Sequence, residues 1–205
     1  AKTHENTLYG KSESWYFIEP PSEGWIYADS LIEDKKEIKR SILNGDYESV
    51  VGKRLVSKND LVYIPSGTLH ALTRGALVYE IQQSTDITYR FFDYNRLDND
   101  GKLRDLHLED ALDTLNTENR VKSSAFPKDT LVSEQPYTMV RKTLENVYHN
   151  TTDVAVAITV SKGSMCVDGH SILAGMSILV LPDEAISISQ AAEEVVIATP
   201  KLYFK

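Results

Sequence analysis

The chain has 205 residues, 41% of them hydrophobic, enough to bury a core in one large domain or two small ones. Its formal net charge is −8, with no stretch rich in Lys and Arg, which argues against a nucleic-acid partner and leaves any phosphate to be met by a local cationic pocket. The one cysteine, Cys166, excludes a disulfide framework and a cysteine-based zinc site. It reads as a buried small hydrophobe in a reduced, cytoplasmic compartment. No apolar run approaches bilayer length, so no membrane span is expected.

The N-terminal stretch Ala1 to Lys11 is polar and carries no basic-then-apolar leader signal. Trp15-Tyr16-Phe17-Ile18, bounded by Pro20-Pro21, predicts a strand, and Trp25-Ile26-Tyr27 a second. Leu31, Ile32, Ile38, Ile42 and Leu43 recur near helical spacing through a charged stretch closed by Gly45. This predicts an amphipathic helix near 31–44 capped by Ser30, with Glu33 to Arg40 as its solvated face. Leu55 to Ile64 reads as one half-buried strand. Leu77 to Gln83 and Thr88 to Tyr94 read as two more, with Ser84-Thr85-Asp86 turning between them. Leu108, Ala111, Leu112 and Leu115 predict a second helix near 107–115.

Periodicity is lost between 117 and 136, where Pro127 and Pro136 flank polar sequence, and a boundary is placed here. Residues 1–118 form one expected half and residues 119–205 the other. Strands are predicted over Met139 to Val147, Val154 to Val160, Met165 to Val167, Ser177 to Leu181, Ile186 to Ile188 and Val195 to Thr199. Short strands at such spacing predict a mainly β fold of sandwich or barrel type. Asn59 to Pro65 also resembles Gly175 to Pro182: a turn residue, an apolar strand, then a proline. Only the first copy continues into Ser66-Gly67-Thr68-Leu69-His70.

That corner carries the chemistry. Pro65 fixes φ and ends strand pairing, and Gly67 permits a backbone angle or close approach that a Cβ would obstruct. The chain then re-enters a strand at Leu69 to Leu72. With Leu72 and His70 facing one way, an imidazole enters an otherwise apolar barrel, where it needs a hydrogen bond or a metal. A lone inward histidine is more often hydrogen-bonded than ligating, so the corner alone favours the former.

Pro-x-Gly-x-x-His after a turn and an apolar strand resembles the second motif of the cupin superfamily, with Asn59 standing where that motif usually has Gly. Gly10-Lys11-Ser12-Glu13-Ser14-Trp15-Tyr16, Pro65 to Ala71, Glu80 to Arg90 and Asp93-Tyr94-Asn95-Arg96 together resemble type I mannose-6-phosphate isomerase, in its short bacterial form. The resemblance is strong over residues 1 to about 115 and general beyond. It implies two cupin-like, jelly-roll β-barrel halves with short helical insertions, the first catalytic and the second degenerate. It implies one zinc, with Glu13 and His70 among its ligands. The family's Gln-x-His pair is expected upstream of Glu13 and is not found there, since His4 is not preceded by Gln two positions earlier. The sequence therefore reads as lacking an N-terminal segment with two ligands. A chain with two of its zinc ligands is expected to bind zinc weakly or not at all, with inactivity of the chain alone as one outcome.

Arg90 matches the family's active-site arginine, suited to an enediol whose oxygens gain negative charge. The plainer reading of Arg90 is a surface residue paired with Asp86 or Asp93. Lys11, two residues before Glu13, is expected to face the cavity as a contact to phosphate or sugar hydroxyl, against the alternative of a solvated rim lysine. Glu80 alternates with Gln82 and reads as a base, a substrate contact or a supporting carboxylate, and Asp93 as an orienter of Arg90. His107 is expected to be buried and hydrogen-bonded, His149 and His170 exposed in polar turns.

The leading function is zinc-dependent interconversion of mannose 6-phosphate and fructose 6-phosphate through a cis-enediol, with a phosphorylated hexose as partner. A non-catalytic sugar-binding or regulatory cupin is the second reading. A cupin oxygenase is the third, disfavoured by the scarcity of inward histidines.

Overall fold

The computed structural model describes residues 10–85 and 87–201. His4 and Asp86, two positions named in the sequence reading, lie outside the described residues. The chain separates into two compact units, Ala1–Ser124 and Ala125–Lys205. Among the described residues, no helix is long and apolar enough to cross a membrane.

The first unit contains β1 (Glu13–Glu19), β2 (Trp25–Ser30), α1 (Lys35–Leu43), β3 (Val51–Leu55), β4 (Asp60–Ile64), β5 (His70–Ala71), β6 (Leu77–Gln82), α2 (Leu108–Thr114) and β7 (Lys122–Ala125). One sheet runs β6-β1-β4-β7 and the other β3-β2-β5, and every pair with a described register is antiparallel. Trp15 and Phe17 from β1, Val62 and Ile64 from β4, and Ile26 and Ala28 from β2 share one buried cluster, so the two sheets close on a common core. β1 lies between two partners and is buried on both faces at its start, which explains an aromatic and β-branched run rather than strict alternation. The helices add a second cluster, in which Ile38 and Ile42 of α1 meet Leu112 and Leu115.

The second unit contains β8 (Val132–Ser133), β9 (Tyr137–Lys142), β10 (Asn146–His149), β11 (Val156–Lys162), β12 (Ser164–Val167), β13 (His170–Leu173), β14 (Ser177–Val180), β15 (Ala185–Gln190) and β16 (Glu194–Pro200). Its sheets run β14-β11-β16-β9-β8 and β10-β15-β12-β13, around a core that includes Val156, Ile158, Val195, Met165 and Ile188.

The repeated segment occupies equivalent places in both units. The Asn59 N–H donates to the Phe17 carbonyl at 2.9 Å, and the Gly175 N–H to the Val160 carbonyl at 2.8 Å. Both residues have left-handed φ, +69° and +87°. β1 takes β4 and β6 as partners, and β11 takes β14 and β16. Asn is the non-glycine residue best suited to the left-handed turn, which accounts for Asn59 where the motif usually has Gly. Its side chain also accepts from the Tyr16 hydroxyl at 3.2 Å.

Several sequence expectations need correction. α1 begins at Lys35, not near 31, because Ser30 ends β2 and donates to the Ile32 carbonyl. Asp34 is the cap, accepting from the Lys36 N–H at 2.9 Å, and Glu37 supplies the acidic first turn. Leu55 to Ile64 is not one strand: the turn at Asn59 splits it into β3 and β4. Met139 to Val147 likewise breaks after Lys142, and the chain enters the other sheet at Asn146, φ +60°. Thr88 to Tyr94 forms no strand. Its aromatics are satisfied instead by packing, with Phe91 against the helical cluster and Phe92 stacked on Tyr47 at 4.3 Å. Cys166 is half-buried rather than buried, since on β12 it alternates with the inward Met165 and Val167.

Candidate active site

The histidine corner is fixed by contacts at each of its residues. The Thr68 hydroxyl donates to the Pro65 carbonyl at 2.6 Å, and the Ser66 N–H to the Ser12 hydroxyl at 3.0 Å. Gly67 has φ +82°, and a Cβ there would lie 2.8 Å from the Thr114 carbonyl oxygen, so both reasons for a glycine apply. The stretch after α2 ties the corner from the other side. The Asn116 N–H donates to the Gly67 carbonyl at 2.9 Å, and Asn119 Nδ2 reaches the Ser66 carbonyl at 2.9 Å and the Thr68 hydroxyl at 3.1 Å.

This scaffold aims His70. Its Nδ1 lies 2.8 Å from the Thr68 carbonyl, an acceptor only, so Nδ1 carries a proton and Nε2 is the nitrogen turned to the site. Nε2 lies 3.1 Å from Glu13 Oε1, and Trp15 packs edge-on at 5.3 Å between ring centroids. Glu13 opens β1 and is 1% exposed. Lys11 Nζ lies 3.0 Å from Glu13 Oε2 and 2.9 Å from Gln82 Oε1. Lys11 and Glu13 thus face the same way, and Lys11 is a tethered cation rather than a solvated rim lysine.

The three groups open on a cleft of about 990 Å³ within the first unit, lined also by Glu80, Arg90, Asp93, Arg96 and Arg104. Glu80 sits on β6 opposite Trp15. Burial pushes the Glu13 carboxyl up, but the hydrogen bond and charge of His70, with Lys11 beside it, outweigh burial and hold it below the usual carboxylate range. Glu80 moves the other way: desolvation, then the charge of Glu13, raise its carboxyl above that range. Two neighbouring carboxylates pushed apart are suited to different roles in proton transfer.

The structure brings Lys11, Glu13, His70, Glu80 and Arg90 to one cleft. Arg90 is half-buried, and its guanidinium makes no ion pair among the described residues. Its backbone is held by His107, whose N–H donates to the Arg90 carbonyl at 2.9 Å. His107 is half-buried rather than buried, because it caps α2 at the edge of the helical layer. His149 and His170 are exposed. Asp93 does not orient Arg90: its carboxylate is taken by Arg96 at 2.6 Å and Arg104 at 3.2 Å. The sequence reading missed this pair and the wall of Tyr27, Tyr47, Phe92 and Tyr94 that lines the cleft. Asp93 and Arg96, three residues apart, were a signal for half of it; Arg104 left none.

The donor set is incomplete for zinc. Glu13 and His70 offer a carboxylate and an imidazole, whereas a catalytic zinc usually takes about three protein ligands. Among the described residues, no group of three or more His, Cys, Asp or Glu is placed to hold a metal ion. The two donors approach each other instead, so the described residues by themselves do not fit the metal.

Two closed sheets in each unit, with a Pro-x-Gly-x-x-His corner feeding the first, define a protein of two cupin-type β-barrel halves. Comparison with known proteins narrows the resemblance. The chain is 38% identical over 115 residues to the mannose-6-phosphate isomerase ManA of Bacillus subtilis (strain 168). It is 39% identical over 115 residues to the mannose-6-phosphate isomerase of Streptococcus mutans. Each match covers 56% of this chain and 36% of the relative, so the matched stretch spans about a third of the length of these proteins. The crystal structure of the mannose 6-phosphate isomerase from Bacillus subtilis superposes with a TM-score of 0.69 at 26% identity, covering 97% of this chain and 68% of that one. No family model matches. The resemblance to mannose-6-phosphate isomerases drawn from the motifs thus holds in sequence and in fold.

Proposed function

We propose that the chain carries the catalytic cleft of an aldose–ketose isomerase that interconverts mannose 6-phosphate and fructose 6-phosphate through a cis-enediol. The observation that carries this reading is the convergence of Glu13, His70, Lys11, Glu80 and Arg90 on one cleft, in a chain similar to isomerases of that name. In the reaction the proton on C2 passes to C1 and the hydroxyl proton on O2 passes to O1, so nothing is oxidised or reduced overall. Glu80, holding its proton to higher pH than an ordinary carboxylate, is suited to exchange that proton with carbon or oxygen. Arg90 supplies a fixed positive charge for the enediol oxygens. The contacts of Lys11 with Glu13 and Gln82 support a role as donor to a sugar hydroxyl.

On this reading zinc is the cofactor, and Glu13 and His70 supply two donors of a set that the described residues alone leave incomplete. Equilibrium dialysis of the 205-residue chain is expected to show weak zinc binding or none. Tight stoichiometric binding would contradict the ligand count. The domain reading goes with it: residues 1–118 as the catalytic half and 119–205 as a half that keeps the barrel without the histidine.

The function is tested by following conversion of mannose 6-phosphate, with zinc added, in the protein expressed from its whole gene. His70→Ala and Arg90→Ala are each expected to lower the rate tenfold or more. Wild-type rates in either variant would remove that residue from the mechanism. No conversion in the wild type, with sugar binding retained, would favour the non-catalytic reading.

A further inference from the structure

The isomerase reading needs a seat for phosphate, and the phosphate sits at the far end of the substrate from the carbons that exchange the proton. Lys11 is poorly suited to that seat, because its charge is neutralised by Glu13 at 3.0 Å and its ammonium is also tethered to Gln82. A different cationic group lines the same cleft. Asp93 is buried, its side chain 8% exposed, and it holds two guanidiniums: Arg96 Nη2 at 2.6 Å from Oδ1 and Arg104 Nε at 3.2 Å from Oδ2. Two positive charges against one negative leave a net positive charge there.

The backbone builds this arrangement. The Arg96 N–H donates to the Asp93 carbonyl at 3.0 Å across a turn in which Tyr94 and Asn95 both have φ +53°. Leu97 and Leu103 then bridge, and the Arg104 N–H returns to the Arg96 carbonyl at 3.4 Å. Both arginines therefore leave neighbouring backbone positions of one small hairpin, and both line the cleft. Each guanidinium has five N–H donors. Neither makes another ion pair among the described residues. A buried carboxylate that hydrogen-bonds Arg96 and pairs in charge with Arg104 reduces the side-chain freedom lost when an anion binds. The planar fork suits a tetrahedral oxyanion with several acceptor oxygens.

We propose that Arg96 and Arg104, positioned by Asp93, form the anion seat of the cleft and take the phosphate of the phosphorylated sugar. The inference rests on the isomerase reading for the identity of the sugar, but the seat itself is defined by charge and geometry.

The test is calorimetric titration of the chain with fructose 6-phosphate, fructose and inorganic phosphate. The wild type is expected to bind the phosphorylated sugar far better than fructose, with affinity falling as salt rises. Arg96→Met and Arg104→Met are each expected to weaken fructose 6-phosphate and inorganic phosphate about ten- to a hundredfold, the loss of one charge-assisted contact. Fructose binding should not change. Arg96→Lys, which keeps the charge and loses the fork, should recover part of the loss. Circular dichroism confirms the fold of each variant, and Arg96 is exposed enough that its replacement should not unfold the hairpin. Unchanged phosphate affinity in both Met variants, in a protein that still binds fructose 6-phosphate, would overturn the seat and leave the isomerase reading standing. A wild type that binds inorganic phosphate in an Arg104-dependent way but not the phosphorylated sugar would keep the seat and overturn the substrate.

Discussion

Replacing Arg141 with methionine is expected to destabilise the second unit by about 3–5 kcal/mol, the range for removing one partner of a buried ion pair. Arg141 on β9 is 5% exposed and Glu194 on β16 is 6% exposed. Arg141 Nη2 and Nε lie 2.6 and 3.1 Å from Glu194 Oε2, and Nη1 donates to the Phe126 carbonyl. The Ser161 hydroxyl also donates to Glu194 Oε1 at 2.9 Å. Desolvating both charges is costly, and this close, hydrogen-bonded geometry offsets it. With Arg141 gone, a buried carboxylate loses the guanidinium that balances its charge. The double variant Arg141→Met/Glu194→Leu removes both charges and should lie closer to the wild type than either single variant. Urea denaturation followed by circular dichroism measures this, together with hydrogen exchange at the amides of β9 and β16. Both tryptophans, Trp15 and Trp25, belong to the first unit, so their fluorescence reports that unit separately. A double variant as unstable as the singles would show that the pair itself, and not the orphaned charge, carries the stability.

How much of this was legible in the sequence depends on the range of the interaction. Where one segment contained its own explanation, the reading succeeded: Pro65 to His70 carries a proline stop, a glycine in a left-handed turn and a histidine after it. Lys11 and Glu13, two residues apart on an extended chain, share a face, as strand alternation predicts. Ser30 misled because a serine before a periodic apolar stretch is a cap signal, yet its backbone was already committed to the ladder with β3. Asp34 and Glu37 were the stronger signal. Phe91, Phe92 and Tyr94 look like a strand because aromatic runs bury well in sheets; here Phe91 packs against the helices, while Phe92 and Tyr94 line the cleft and stay exposed. Asp93 with Arg104, and Asn119 with the corner, join residues far apart in sequence, so no local pattern marks them. The repeat between Asn59 and Gly175 was legible because both turns need the same left-handed angle before the same kind of strand.

Gly67→Ala is expected to damage fold and site together, and it separates the two claims made for that corner. At φ +82° an alanine carries a left-handed penalty of about 1–2 kcal/mol. Its Cβ would also stand 2.8 Å from the carbonyl oxygen of Thr114, a backbone atom at the end of α2 that has little room to retreat. The total loss should therefore exceed 2 kcal/mol. Relief can come only by shifting the corner or the stretch after α2. Either movement strains the bonds from Asn116 to the Gly67 carbonyl and from Asn119 to Ser66 and Thr68. The Thr68 carbonyl fixes the His70 ring, so displacement there turns Nε2 away from Glu13. Denaturation in urea gives the stability loss, and the imidazole resonances of His70 report the change at the site in protein that is still folded. A Gly67→Ala variant with wild-type stability and an unmoved His70 would mean that neither the backbone angle nor the close approach holds this corner.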